Sequence, residues 1–290
     1  MDLVTVGDLM VDVTVEASAL RAGGDVHGTV RLRPGGSAVN AAVWAAASGA
    51  TARLHGRIGD DLAGRLISEA IGQRGVEAVL AVDPGSVTGS MLVVQEGGER
   101  SMVADRGANA RLSPADLPAQ IEAEAVLVSG YVLLQEGSAA AGRAALDRAR
   151  ARYVAVDAAS WPLVEGVGGE RFLRLTEGAN VLFANASEAR ALTGREGEDA
   201  ADQLAQRYAV VCIKLGGEGA VLSWEGLLIR FGAEEIAEAD PTGAGDAFDG
   251  AFLAALVSGA APGDALRLAC HAGARAAGSL ELWPERESSR

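Results

Sequence analysis

The sequence predicts an α/β chain in which helices cover both faces of a mostly parallel sheet. Three observations lead there. From residue 125 onward, short apolar runs at 125–129, 153–157, 181–184 and 210–215 alternate with helical stretches at 138–151, 170–176, 186–193 and 199–207. That order is what parallel βαβ units impose. Two more polar β-like segments, at about 10–33 and 87–105, break the alternation and read as one small sheet that lies over a site as a lid. No helical-repeat period, low-complexity tract or Pro/Ser-rich linker divides the chain, so 1–290 reads as a single domain carrying that lid.

Taken in order, residues 3–7 (LVTVG) form a buried first strand, and 10–16 and 26–32 alternate apolar with polar residues. After Pro34, the run Gly35-Gly36-Ser37-Ala38-Val39-Asn40 opens an Ala-rich helix that ends near Gly49. A strand at 52–58, a Gly-Asp-Asp turn and a helix at 62–73 follow. Residues 88–95 and 100–104 flank Glu96-Gly97-Gly98-Glu99, a hairpin by its turn chemistry. A second hairpin pairs 220–224 with 227–231. A helix at 263–278 closes the fold, and 284–290 reads as a polar, frayed end.

Composition narrows the function. With 25 Lys and Arg against 39 Asp and Glu, the net charge is −14, which disfavours nucleic-acid binding and requires a local site for any anionic ligand. Cys212 and Cys270 lie in apolar runs and make no disulfide framework. The first fifteen residues carry Asp2, Asp8 and Asp12 without leading basic residues. They read as neither a signal peptide nor a membrane span, and a cytoplasmic setting is expected. There is no G-x-x-x-x-G-K-[ST], no G-x-G-x-x-G after the first strand and no G-x-S-x-G, and His27, His55 and His271 form no zinc pattern. The missing dinucleotide fingerprint disfavours a dehydrogenase.

The chemistry concentrates at Asp240-Pro241-Thr242-Gly243-Ala244-Gly245-Asp246, followed by an apolar helix with Ala244, Phe248, Phe252 and Leu256 at i+4 spacing. Pro241 brings Asp240 in extended or turning, Thr242 is placed to cap the helix, and Gly243 and Gly245 leave the first N–H groups uncovered. Such a helix end binds anions. Asp246 in its first turn is a candidate base, expected to stay ionised at a helix N-terminus.

Other motifs admit two readings. Gly35-Gly36-x-x-x-Asn40 either lets a ligand approach the backbone with Asn40 binding a hydroxyl, or is a plain Pro-Gly-Gly turn with a cap. Asp8 and Asp12 beyond the first strand either accept polyol hydroxyls or are solvated turn acids. Asn185-Ala186-Ser187-Glu188 resembles a capping box, while Glu188 could also hold a water of a hydrated magnesium ion. Lys214, the sole lysine, precedes Gly216, Gly217 and Gly219, which fit a nucleotide lying on the backbone or simply a tight hairpin. Arg106, beside Gly107-Ala108-Asn109, either reaches a substrate carboxylate or hydroxyl, or is a surface arginine without a role.

Taken together, Gly35-Gly36-Ser37-Ala38-Val39-Asn40-Ala41-Ala42, Gly56-Arg57-Ile58-Gly59-Asp60-Asp61 and Asp240-Pro241-Thr242-Gly243-Ala244-Gly245-Asp246-Ala247-Phe248 resemble the ribokinase/PfkB carbohydrate kinase family. Asn185-x-x-Glu188, Gly216-Gly217-x-Gly219 and Gly107-Ala108-Asn109 fall in the family's order between them, so the resemblance spans nearly the whole chain. It implies a ribokinase-like three-layer α/β/α sandwich with a small β-sheet lid. It further implies ATP and Mg2+ as cofactors, with a monovalent cation such as K+ near the anion-hole loop. By the resemblance Asp246 is the base, and Gly243, Ala244 and Gly245 form the anion hole. Asp12, Gly35, Gly36, Asn40, Arg106 and Asn109 hold the substrate. Lys214, Gly216, Gly217, Gly219, Thr242 and Ala272 serve the nucleotide, and Asn185 and Glu188 lie near magnesium. Pro241 and the pair His271-Ala272 depart from the family's usual residues. The reaction implied is phosphorylation of a small sugar or sugar acid. A nucleoside kinase and a catalytically silent sugar-binding regulator on this fold are the alternatives. The lid segments contain no aromatic residue to stack on a nucleobase, which favours a sugar. Exposed lid strands could also pair two subunits as a homodimer.

Overall fold

The computed structural model of this chain describes residues 1–17, 23–96, 99–237 and 239–284. Its strands are β1 (Leu3–Val6), β2 (Met10–Ala17), β3 (Gly28–Gly35), β4 (Ala52–Gly59), β5 (Val76–Asp83), β6 (Gly89–Glu96), β7 (Glu99–Asp105), β8 (Ile121–Glu122), β9 (Ala125–Ser129), β10 (Ala149–Arg150), β11 (Tyr153–Asp157), β12 (Val181–Asn185), β13 (Val210–Lys214), β14 (Ala220–Trp224) and β15 (Leu227–Phe231). Its helices are α1 (Ser37–Ala47), α2 (Leu62–Gln73), α3 (Gly130–Leu134), α4 (Ala139–Arg148), α5 (Trp161–Val167), α6 (Gly169–Leu175), α7 (Ala186–Thr193), α8 (Gly197–Leu204), α9 (Ala244–Val257) and α10 (Pro262–Ala277).

A nine-stranded sheet runs β15-β14-β13-β12-β11-β9-β1-β4-β5. From β13 to β5 every pairing is parallel, and the β14–β15 hairpin adds an antiparallel edge. Alternate side chains leave the strands on opposite faces. Val126, Val128, Val154 and Val156 join Val132, Ala145 and Phe172 in one core. Leu127, Ala155 and Phe183 join Phe248, Phe252 and Leu266 of α9 and α10 in the other. There Phe183 meets Phe248 and Phe252 edge-on at 6.4 and 5.6 Å. The three-layer α/β/α arrangement expected from the alternation is therefore present.

Beyond Asp249, helix α9 is apolar all round because it is enclosed, lying against α1 on one side and α10 on the other. Gly250 sets the distance to α1, since a Cβ there would stand 2.1 Å from the Ala41 carbonyl oxygen. This close approach brings the N-terminal ends of α1 and α9 together.

The second sheet, β3-β2-β6-β7, joins the segments expected to form a lid. Asp12, Thr14, Arg33 and Val93 are buried in it, whereas Val30, Leu32, Met102 and Val103 are exposed. Strand β3 runs three residues further than the alternation at 26–32 implied, so Gly35 ends the lid and Gly36 caps α1 directly. The turn glycines Gly97 and Gly98, residues 18–22 of the lid and residues 285–290 of the expected frayed end lie outside the described residues. Strand β5 was not anticipated. It alternates as VEAVLAVD, but it is an edge strand whose second face is largely open, and Val79 and Val82 are exposed. Two short helices, α3 and α5, also escaped the reading, being too brief to show a helical period. Among the described residues, no helix is long and apolar enough to cross a membrane.

Candidate active site

Parallel register creates the site. Ser129, Asp157, Asn185 and Lys214 are the last residues of β9, β11, β12 and β13, four neighbours pointing the same way, so they share one edge of the sheet. Open α/β sheets present their ligands at this edge.

Helix α9 starts at the same edge. Its N-cap is Gly243, at φ +76°, and no side chain caps it. The expected role of Thr242 as a cap is therefore corrected: its N–H and hydroxyl both turn back to Oδ1 of Asp240. The Ala244 N–H leans on the Pro241 carbonyl at 3.3 Å, while those of Gly243 and Gly245 have no acceptor among the described residues. These N–H groups belong to a helix end that favours negative charge.

Asp246 sits in that first turn and is gripped from α1. The Ser37 hydroxyl donates to Oδ1 and the Asn40 amide to Oδ2, each at 2.8 Å. Asn40 is buried, and its own oxygen accepts from the Trp283 indole at 2.8 Å, which fixes the amide orientation. Helix α1 also lacks a side-chain cap, and Gly36 at φ +110° supplies its N-cap in a conformation other residues rarely adopt. Asp246 is expected to stay ionised at this helix end, and its surroundings act on that in both directions. Burial raises its pKa to about 6, the Asn40 hydrogen bond opposes that, and the Asp157 charge adds to it. Near neutral pH the group is mostly ionised and ready to accept a proton.

Beneath this helix end lies a buried cluster. Lys214 Nζ is 2.8 Å from Asp157 and 3.0 Å from Asp249, which stands one turn along α9 from Asp246. Burial works to lower the ammonium's pKa, but Asp157, Asp249 and Glu188 together hold it well above the usual lysine value. The lysine lies under Gly245, where a Cβ would meet Nζ at 3.3 Å. Lys214, Gly216, Gly217 and Gly219 line one cleft with Pro241, Ala244, Gly245 and Gly273. Ala272 does not; it packs with Trp44, Ala247 and Ala251, because one residue along a helix turns a side chain by about 100°.

Asn185 and Glu188 form the capping box of α7. The Glu188 N–H donates to Asn185 Oδ1 at 2.9 Å and the Asn185 N–H to Glu188 Oε2 at 2.8 Å. Burial first, and then the Asp157 charge, raise Glu188 to a pKa of about 7. Among the described residues, no three His, Cys, Asp or Glu side chains are grouped to chelate an ion. The donors fit a hydrated dication held at a distance, and the surplus carboxylate charge around Asp157, Glu188 and Asp246 is what such an ion would relieve.

The lid contributes acids and bases that are already matched. Asp12 is buried, with Gly35 close enough that a Cβ there would meet its Oδ2 at 2.8 Å. Arg106 holds Asp8 with two hydrogen bonds, at 2.7 and 2.8 Å, and also donates to Ser138. The Asn109 amide bonds both the N–H and the carbonyl of Leu9, so it fixes the chain between β1 and β2. Arg33 pairs with Asp240 at 2.9 Å.

Several members of this constellation were not singled out from sequence. Asp157 ends a strand, a signal that did draw attention at Asp8. Asp249 follows Asp246 by three residues, one helical turn. Ser37 stands inside the glycine motif. Tyr131, half-buried just after β9, has its pKa raised by burial and by the charges of Asp246, Asp157, Glu188 and Asp8, which places it amid these acids. Nothing in its neighbourhood marks it in the sequence.

Residues 1–281 match the model of the pfkB family of carbohydrate kinases. The chain is 33% identical over 256 residues to a 2-dehydro-3-deoxygluconokinase of Thermoproteus tenax, covering 84% of this chain and 79% of that protein. The crystal structure of an adenosine kinase from Sinorhizobium meliloti is similar with a TM-score of 0.87 at 25% identity, over 98% of this chain and 95% of the other. Arabidopsis thaliana ribokinase complexed with ribose and ATP is similar with a TM-score of 0.76 at 25% identity, over 99% and 96%. The chain belongs to the pfkB family of carbohydrate kinases and carries its ribokinase-like fold.

Proposed function

We propose that the protein transfers the γ-phosphoryl group of ATP to a hydroxyl of a small, uncharged sugar, with Asp246 as general base. The three relatives act by name on a sugar acid, a nucleoside and a pentose, so the choice of acceptor rests on this chain's own residues. Charge pairing carries it. Among the described residues, the basic side chains placed about the site are each paired with an internal carboxylate: Arg33 with Asp240, Arg106 with Asp8, and Lys214 with Asp157 and Asp249. A substrate carboxylate would compete with these internal acids for the same cations, and breaking such a pair is costly. Neutral hydroxyls meet no such conflict. The reading of Arg106 as a carboxylate ligand is accordingly set aside.

The nucleotide with Mg2+, when bound, supplies the phosphoryl group and neutralises its charge. The chain's residues do the rest. Asp12 and Asn40 accept and donate to acceptor hydroxyls under the lid. Asp246, aligned by Ser37 and Asn40, takes the proton. The N–H groups of Gly243 and Gly245 donate to the anion that develops at the helix end. The glycines from Gly216 to Gly219 let the nucleotide lie close to the backbone. The exposed apolar residues Val30, Leu32, Met102 and Val103 support pairing of two lids, which sedimentation would measure.

A coupled ADP-release assay over neutral pentoses and hexoses, sugar acids and nucleosides tests the proposal. Neutral sugars are expected to give the highest kcat/KM. A sugar acid or nucleoside preferred by more than about tenfold would refute the acceptor class. Sugar binding without ADP release from any acceptor would favour a silent sugar-binding protein.

A further inference from the structure

We infer that Arg33 is a positioning residue for the anion hole, a guanidinium built into the lid that stands where a monovalent cation would act, so that turnover does not require one. The inference rests on the phosphoryl-transfer reading above.

Arg33 lies on β3 in register with Asp12 on β2, so one face of the lid carries both the candidate sugar-binding acid and this cation. Its side chain is buried, and its guanidinium reaches three separate parts of the chain. It donates to Thr14 within the lid at 3.2 Å, to Asp240 Oδ2 at 2.9 Å, and to the Leu280 carbonyl beyond α10. Asp240 is the acid of the anion-hole loop. Its Oδ1 accepts from the N–H and hydroxyl of Thr242, the residue before the helix cap Gly243. The segment around Leu280 is tied in turn to α1, through the Trp44 indole donating to the Leu282 carbonyl and the Trp283 indole donating to Asn40. One guanidinium therefore joins lid, anion-hole loop and carboxy-terminal segment.

An alkali cation fixing this loop would need oxygens of the same kinds: a carboxylate, a hydroxyl and a backbone carbonyl. Arg33 already takes one of each, and an added cation in the same cradle would face a like charge. The residues present do not fit a bound monovalent cation beside Asp240. The geometry fits a resident charge that is delivered when the lid is in place.

The test compares kcat and thermal unfolding in K+, Na+ and tetramethylammonium at equal ionic strength, for the wild type, Arg33→Ala and Arg33→Lys. For the wild type, equal kcat in all three salts is expected, together with no K+-specific rise in unfolding midpoint. For Arg33→Ala, kcat is expected to fall by about 10²-fold with the KM for sugar little changed, as for a misplaced reacting group. K+ or guanidinium should restore part of that loss, and K+ should raise this variant's unfolding midpoint. Arg33→Lys, which keeps the charge, should retain more activity than Arg33→Ala and covers the case in which the alanine variant does not fold. Wild-type turnover that climbs several-fold with K+, a K+-specific rise in wild-type stability, or full kcat in Arg33→Ala would overturn the inference. The stability readout needs no acceptor, so failure of the kinase reading would be visible separately, as absent ADP release in every salt.

Discussion

Helices α7 and α9 both begin at the carboxyl edge of the sheet, and both carry a carboxylate in the first turn whose pKa is raised, to about 7 for Glu188 and about 6 for Asp246. They differ in where their hydrogen bonds go. Glu188 bonds the N–H and side chain of Asn185, three residues away, and Asn185 bonds back. Asp246 instead bonds Ser37 and Asn40, more than two hundred residues away, and its own helix end stays uncapped. A capped end has used its donors to stabilise the helix. An uncapped end supported from another helix keeps its donors for a ligand and its carboxylate for chemistry.

The largest expected effect breaks that contrast at α9. Asp246→Asn should lower turnover by at least the ~10²–10⁴-fold typical of general-base help, with acceptor binding largely retained. A wild-type rate in a folded variant would remove Asp246 from the mechanism. Next, Lys214→Met leaves Asp157 and Asp249 buried without their cation. A loss of about 3–5 kcal/mol of stability is expected in chemical denaturation, and an unchanged midpoint would show that the cluster contributes little.

At α7 the effect should be smaller and of opposite character. Glu188→Gln preserves an acceptor for the Asn185 N–H but removes the charge. Because the folded pKa of Glu188 lies above its ordinary value, its contribution to stability is full below about pH 4.5 and is lost as pH rises through about 7. Wild type should therefore lose unfolding temperature relative to Glu188→Gln between pH 5 and pH 8, and parallel profiles would contradict the raised pKa. The same variant should need more Mg2+ for half-maximal turnover, if the carboxylate holds a hydrated ion.

How far this was legible depends on distance along the chain. Gly243, Gly245 and Asp246 could be found because a proline, two glycines and an acid at the head of an apolar run state a helix end locally. The parallel sheet could be found because its strands repeat. The partnerships could not. That Asn40 would meet Asp246 follows from the α1–α9 contact at Gly250, which has no signature beyond one glycine among thirty-eight. That Lys214 would pair with Asp157 follows from strand register. Arg33 falls just past the alternating run at 26–32, and nothing local sets it apart from the other polar residues of the lid. Arg106 was singled out for its place beside Gly107-Ala108-Asn109, but its ion pair with Asp8, some hundred residues earlier, had no local signature.

The joining of the two helix ends is tested most directly by the pH dependence of the single-turnover rate in wild type and Ser37→Ala. Ser37 donates to the ionised carboxylate and so lowers its pKa against the effect of burial. Wild type should lose rate on acidification with a midpoint near 6. Ser37→Ala should move that midpoint upward by about half to one unit, with only a few-fold loss above pH 8. A rate that does not fall between pH 7 and 5, or a midpoint unmoved in Ser37→Ala, would contradict Asp246 acting as a base held by α1.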